Sequence, residues 1–302
     1  MKPTKIEQIP TRQLTNWTDA KRAINARLKR GRKSVVNAIY DIPVKAVNIE
    51  NNRTRYEYLI TPERLTQIPN EINDIISQLL QVEGLKPQRW FFDQYINKAY
   101  QSGTATAAAN ISAQAAVAGS AAVGQLELEN ILFSEPYRRR IEIAGSRAFN
   151  NMQGFAGSNA IDLGRIMVEG IAMGESPRQI SIAMQKRWRE MPRYRTDRIA
   201  RTEVNKAFTD ARIEQAVDAN KRLGLDVRLM HVSALVPATR PTHAARHGKI
   251  YTMDEQERWW SEGSNRINCL CSTTEVLYIK GKPVNKSVIE RQRERGEAYF
   301  GK

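Results

Sequence analysis

Gly174-Glu175-Ser176-Pro177-Arg178-Gln179-Ile180-Ser181-Ile182-Ala183-Met184-Gln185-Lys186-Arg187-Trp188-Arg189-Glu190-Met191-Pro192 is a helix written with its own start and stop. Ser176 is an N-cap residue, Pro177 suits the first helical position, and Gln179 stands where the return half of a capping box belongs. Ile180, Ala183, Met184, Trp188 and Met191 recur at the three-to-four spacing of one buried face, and Pro192 closes the run. Upstream, Asn159 to Met173 reads as a helix stopped by Gly174. Downstream, Asp197 to Leu223 is a third helix, burying Ala200, Val204, Ala207, Phe208 and Ala211 and ending at Gly224.

Outward from this block the chain stays helical towards its N-terminus. Thr61-Pro62 caps a helix that carries Ile72, Ile75, Ile76, Leu79 and Leu80 on one face. Thr18 to about Leu28 reads as a basic helix ended by Gly31, and the Asn37-to-Tyr58 region, with its Tyr56/Tyr58 alternation, suits a hairpin. Ala99 to Leu126 holds no charge and is crowded with alanine between Ala105 and Val123. Alanine leads the helix-propensity scale, so a closely packed helix is preferred there over a flexible connector.

After Gly224 the pattern changes to period two. Leu225 to Ser233, Ile250-Tyr251 and Thr273 to Ile279 read as short strands, and Ser287 to Lys302 as a charged helix or tail. The fold expected is predominantly helical α+β, with helical N-terminal and middle regions before a small C-terminal α+β domain.

Composition narrows the function. The chain has 302 residues, 41% hydrophobic and 26% charged, enough for a substantial core. Its 47 basic and 32 acidic residues give +15. Lys21, Arg22, Arg27, Lys29, Arg30, Arg32 and Lys33 fall within one acid-free stretch, whose field attracts phosphate or an acidic protein surface. Double-stranded DNA and a protein partner both suit that charge, and a solvated helix face needs neither. No basic-then-apolar leader opens the sequence, and no run approaches the roughly 18 apolar residues of a membrane span, so a membrane role is not expected. The two cysteines, Cys269 and Cys271, are too close for an easy disulfide.

Those cysteines carry the main chemical signal. His243 and His247 flank a short segment that Pro241 can open as a helix and Gly248 can end, which would set both imidazoles on one face. With Cys269 and Cys271 they can close a tetrahedral zinc site; the alternative is that all four are packing or hydrogen-bonded residues. A zinc peptidase with this histidine spacing needs a glutamate directly after the first histidine, and Ala244 stands there. Any metal these four hold, one zinc ion, is therefore expected to be structural, with no catalytic residue. The competing reading, a metal-dependent nuclease or hydrolase built on His243, His247 and Asn268 beside the cysteines, finds no carboxylate in the histidine segment. Arg201, Glu203 and Arg240 are expected to form a structural polar cluster, with Arg240 equally able to reach Glu203 or phosphate.

Ile199-Ala200-Arg201-Thr202-Glu203, then His231-Val232-Ser233-Ala234-Leu235, then Thr239-Arg240-Pro241-Thr242-His243 with Gly248, and last Asn268-Cys269-Leu270-Cys271 follow an order that resembles the phage Mu F-like minor head (head morphogenesis) family. The resemblance spans roughly Ile180 to Val276. Two positions depart from it: the family often has tryptophan where this chain has His231, and aspartate where it has Val236. The resemblance implies a non-enzymatic, low-copy virion protein that passes through the host cytoplasm during assembly. It would associate with the portal protein, other head proteins and packaged DNA. It divides the chain into residues 1–125, a head- or portal-docking region, residues 126–280, the Mu F-like domain, and residues 281–302, a charged tail.

Overall fold

The computed structural model describes residues 11–49, 53–82, 89–120, 127–191 and 195–300. Pro192, the alanine-rich stretch beyond Ser120 and the boundary expected at 125 lie outside the described residues. The chain order is α1 (Thr11–Asn37), a 3-10 turn (Ala38–Asp41), β1 (Val44–Ile49), β2 (Arg53–Tyr58), α2 (Pro62–Leu80) and the single turn α3 (Arg89–Phe91). A π-type turn (Phe92–Ile96) leads into α4 (Asn97–Val117), followed by α5 (Leu128–Leu132), α6 (Glu135–Met173), α7 (Pro177–Met191) and α8 (Asp197–Leu223). Then come β3 (Asp226–Val232), the one-turn α9 (Pro241–Ala244), β4 (Ile250–Tyr251), α10 (Met253–Ser261), β5 (Ser272–Ile279), β6 (Lys282–Pro283) and α11 (Lys286–Phe300). Helices dominate two small antiparallel sheets, as a helical α+β chain should. No described helix is long and apolar enough to cross a membrane.

The local signals work where they are strongest. The Ser176 backbone N–H donates to Gln179 Oε1 at 2.9 Å, and the Gln179 N–H returns to Ser176 Oγ at 3.2 Å, closing the capping box of α7. Thr61 Oγ1 accepts the Arg64 N–H at the start of α2. Gly174 and Gly224 end α6 and α8 at φ of 71° and 63°, a region that glycine enters without a Cβ penalty. At Gly31 the expectation fails, because α1 runs on to Asn37. A β carbon on Gly31 would lie 1.8 Å from Leu79 Cδ1, so this glycine opens space for α2 instead of ending a helix.

The chain forms two compact units, one of residues 1–18, 89–145 and 200–302, the other of 19–88 and 146–199. In the second unit, Ala20, Ile24, Leu28 and Val35 line the buried face of α1, and Ile68, Ile72, Ile76 and Leu80 that of α2. The β1–β2 hairpin pairs Val44 with Tyr58 through Ile49 with Arg53. A groove of about 870 Å³ opens here, with Arg30, Lys33 and Arg64 beside a floor that includes Ile68, Ile72 and Ile75.

The first unit holds the sheet β4-β3-β5-β6. Val227, Leu229 and Leu277 pack with Ile111 and Ala115 of α4, Ile213, Ala216 and Ala219 of α8, and Trp260 of α10. Met230, Val232 and Val276 pack instead with Ile289 of α11, so the segment expected to be a charged helix or tail covers part of the core. The alternation places successive residues of β3 and β5 on opposite faces, and both faces are covered.

Glu275 of β5 is buried at the meeting point of three elements. Arg212 of α8 donates to both carboxylate oxygens, Nε to Oε1 at 2.8 Å and Nη2 to Oε2 at 2.7 Å. From α4, Asn110 Nδ2 donates to Oε2 at 2.9 Å. Gln114, also on α4, donates to the Glu275 carbonyl and accepts the Leu277 N–H, both at 2.9 Å, standing in for a strand partner. α4 comes this close because its residues are small: a β carbon on Gly103 would sit 2.3 Å from the Phe208 carbonyl oxygen. The alanine-rich segment is thus a packing helix through Val117.

Removing one partner of a buried pair strands the other charge, whereas replacing both with apolar groups can be nearly neutral. Glu275→Ala should therefore cost about 3–5 kcal/mol in urea denaturation, with the Arg212→Met, Glu275→Leu double variant clearly more stable than that single one. Equal losses in the two proteins would show that the pair does not organise this core.

Candidate metal centre

The cysteine turn is held from α8. Thr202 Oγ1 accepts the Asn268 N–H at 2.9 Å, and Asn205 Nδ2 donates to the carbonyls of Cys269 and Cys271, each at 3.0 Å. Asn268 takes φ 55°, a left-handed conformation that asparagine tolerates better than most residues. The turn folds Cys271 back until its N–H meets Cys269 Sγ at 3.2 Å. His243 Nδ1 then faces both sulfurs, 3.3 Å from Cys271 Sγ and 3.4 Å from Cys269 Sγ. The carbonyl of His243 is fixed by the Ser233 hydroxyl.

His231 enters from β3 and is fully buried. Gln256 Oε1 lies 3.3 Å from its Nδ1 and also accepts Arg246 Nη2 at 3.2 Å. An arginine only donates, so this atom of Gln256 is the oxygen, and His231 must carry its proton on Nδ1. Nε2 is then left with a lone pair and has no hydrogen-bond partner. His231, His243 and Cys271 each present one ligand atom, all within 4.8 Å of one another. Trp259 walls the pair, its ring 4.7 Å from that of His243 and 5.2 Å from that of His231.

Electrostatics prepares the same atoms. Burial, helped by the Arg246 charge, pushes His231 down to about 3, so the imidazole is neutral at ordinary pH. The bond from the Cys271 thiol, together with His243, holds Cys269 down to about 5, and the same bond with burial pushes Cys271 up. A neutral imidazole beside a ready thiolate is the donor chemistry of a zinc-type cation. The two edges at His243 fit as well: bonds of 2.0–2.1 Å to nitrogen and 2.3 Å to sulfur make a tetrahedral N···S edge of about 3.5 Å, close to the 3.3 and 3.4 Å from its Nδ1 to the sulfurs. A cavity of about 80 Å³, lined in part by Arg201, Arg240, His243 and both cysteines, adjoins the cluster.

Residues 162–274 match the family model described as phage Mu protein F like protein. This part of the chain is Mu F-like. No curated protein and no solved structure matches the chain. The matched segment contains all three histidines and both cysteines.

Within the Mu F-like segment the structure brings His243, Cys269 and Cys271 together and turns His247 away. Its Nδ1 accepts the Ser233 N–H at 3.0 Å, and its Nε2 donates to Gln292 Oε1 at 2.9 Å, so both nitrogens are occupied. The reason is helical phase. α9 ends at Ala244, and the next residues form turns, with the His247 N–H bonded to the Ala244 carbonyl, so the four-residue spacing does not put the two rings on one helical face. His231 takes the vacated place, and only the crowding of the chain's three histidines into positions 231 to 247 hints at it. Asn205 and Gln256 lie outside the four quoted motifs, and Thr202 lies inside one, Ile199–Glu203, with nothing there to announce its bond to the cysteine turn.

Of the expected polar cluster, Arg201 and Glu203 stand on α8 and Arg240 immediately before α9. Arg240 spends its guanidinium on the carbonyls of Ser264, Asn265 and Ile267, at 2.7, 3.1 and 3.0 Å. Arg201 stacks over Trp17, 4.4 Å from the ring centroid, and Glu203 is buried on α8. Arg201 and Arg240 share the small cavity, whose lining does not include Glu203. Of the basic stretch, Lys21 pairs with Asp197 and Arg22 with Asp19, both at 2.9 Å. Lys29, Arg30, Arg32 and Lys33 are exposed.

Burial lowers His247 below its ordinary value of 6.5, more strongly than its bond to Gln292 raises it. A depressed folded-state value means that its contribution is complete above about 6.5 and is lost as acid protonates the unfolded chain first. Between pH 7 and pH 5 the unfolding free energy should therefore fall with a slope that His247→Gln reduces, by at most about 1.4 kcal/mol per pH unit for one proton. Parallel slopes for the two proteins would remove His247 from the linkage.

Proposed function

We propose that this chain is a head-morphogenesis protein of a tailed phage, built into the virion in few copies at the portal after assembly in the host cytoplasm. The Mu F-like match over residues 162–274 is the observation that carries this reading. The site is read as architectural and not enzymatic. Ala244 follows His243 where a zinc hydrolase needs its base, Glu255 is committed to the capping box of α10, and Glu275 to Arg212. The adjoining cavity of about 80 Å³ has no carboxylate in its lining to act as a base. One zinc ion in a structural role completes the reading of the histidine–cysteine cluster.

The end of α1 is the proposed contact surface. Lys29, Arg30, Arg32 and Lys33 are exposed and make no ion pair among the described residues, so their field is available to a partner. DNA phosphates satisfy the charge alone. The apolar floor beside Arg30 and Lys33 additionally favours an acidic segment of the portal or another head protein, since phosphate gains nothing from isoleucine.

Replacing Lys29, Arg30 and Lys33 together by glutamate separates these partners. If DNA is bound there, the log–log salt dependence of affinity should flatten by about 0.9 for each phosphate that the variant no longer neutralises. If a head protein is bound there, DNA affinity should hold while the variant is depleted from purified particles in a gel of their proteins. A variant normal in both measurements would refute the contact surface. Incubation of the intact protein with DNA and with casein, in zinc, magnesium or manganese, should leave both substrates whole; cleavage abolished by His243→Ala would overturn the architectural reading.

A further inference from the structure

We propose that His231, and not His247, joins His243, Cys269 and Cys271 as the fourth ligand of one zinc-type cation, and that Gln256 is the positioning residue that sets His231 for it. The assignment rests on the zinc reading of the Mu F-like segment and specifies its chemistry.

Four observations converge on it. His231 Nε2 is buried without a partner beside His243 and Cys271, and a lone pair in such a place wants a cation or a donor. The proton on the opposite nitrogen is held by Gln256 Oε1, which is how proteins fix the tautomer and angle of a metal-binding imidazole. His247 has no nitrogen to offer, because Ser233 and Gln292 engage both. The donor set also matches one class of ion. Thiolate and imidazole select zinc-type cations over magnesium or calcium, and two thiolates cancel the divalent charge that so buried a site could not otherwise hold.

Gln256 does not reach the ion's place directly. Its oxygen is shared by His231 and by Arg246, whose guanidinium lies 3.7 Å from the Tyr251 ring centroid and 4.3 Å from that of Trp259. The stacked arginine therefore fixes Gln256, and Gln256 fixes His231. A cation at this point would tie β3, α9 and the Cys269–Cys271 turn together.

The test uses the full chain, purified without chelator and then equilibrated with zinc. Elemental analysis should find about one zinc per chain, retained in His247→Gln and lost in His231→Gln and Cys271→Ser, with helical circular dichroism reporting that each variant is folded. Gln256→Leu should weaken zinc binding about 10–100-fold, and Gln256→Glu, which keeps an acceptor, should restore most of it. Cobalt(II) added to the metal-free wild-type chain gives a reading that needs no variant: tetrahedral visible bands with thiolate charge transfer are expected. Zinc lost in His247→Gln but kept in folded His231→Gln would overturn the ligand assignment and leave the zinc reading standing. An absence of zinc and of tetrahedral cobalt bands in the wild-type chain would overturn both.

Discussion

A carboxylate buried on a central strand must be neutralised, and the bidentate pair of Glu275 with Arg212 sets the terms for the surrounding unit. The requirement fixes the rotation of α8, since Arg212 has to face β5. It also fixes that of α4, whose Asn110 and Gln114 complete the acceptors and donors around Glu275. With α8 so oriented, Thr202 and Asn205, about two to three turns nearer its start, fall beside the cysteine turn. The polar centre of the core thus determines where the sulfurs stand.

The histidine cluster depends on a second polar chain that is separate in sequence. Arg246, Gln256 and His231 form a line of donors and acceptors in which each member leaves the next a single role. His247, Ser233 and Gln292 form another, which binds α11 to the loop after β3. One line leaves a histidine nitrogen available and the other occupies both. His231 and His247, sixteen residues apart on the chain, therefore differ in chemistry through their partners and not through their own type.

Legibility in the sequence follows the range of the interaction that decides each feature. The caps of α2 and α7 and the glycine stops after α6 and α8 are readable because every participant lies within a few residues. Gly31 carries the same local signal and means something else, since the atom that requires it belongs to Leu79. The alanine run declares a helix but not its purpose, which is the approach of Gly103 to Phe208. At the site, His243 and both cysteines are visible as donors at suitable spacing. His231 is not, because a histidine inside an apolar strand acquires its role only from the elements that fold over it. His247 misleads because one turn of α9 is too short to carry a helical phase to it.

Glu275 lies 63 residues beyond Arg212 in the chain. At about 5–20 residues per second, a ribosome delivers it roughly 3–13 seconds later. For that interval α4 and α8 already exist as sequence, yet the charge between them has no counterion and their facing apolar residues have no strand to cover. The sheet cannot close until β5 emerges, and its other face waits further for Ile289 of α11. Nascent chains of this protein are therefore vulnerable until β5 and then α11 have emerged to cover the two faces.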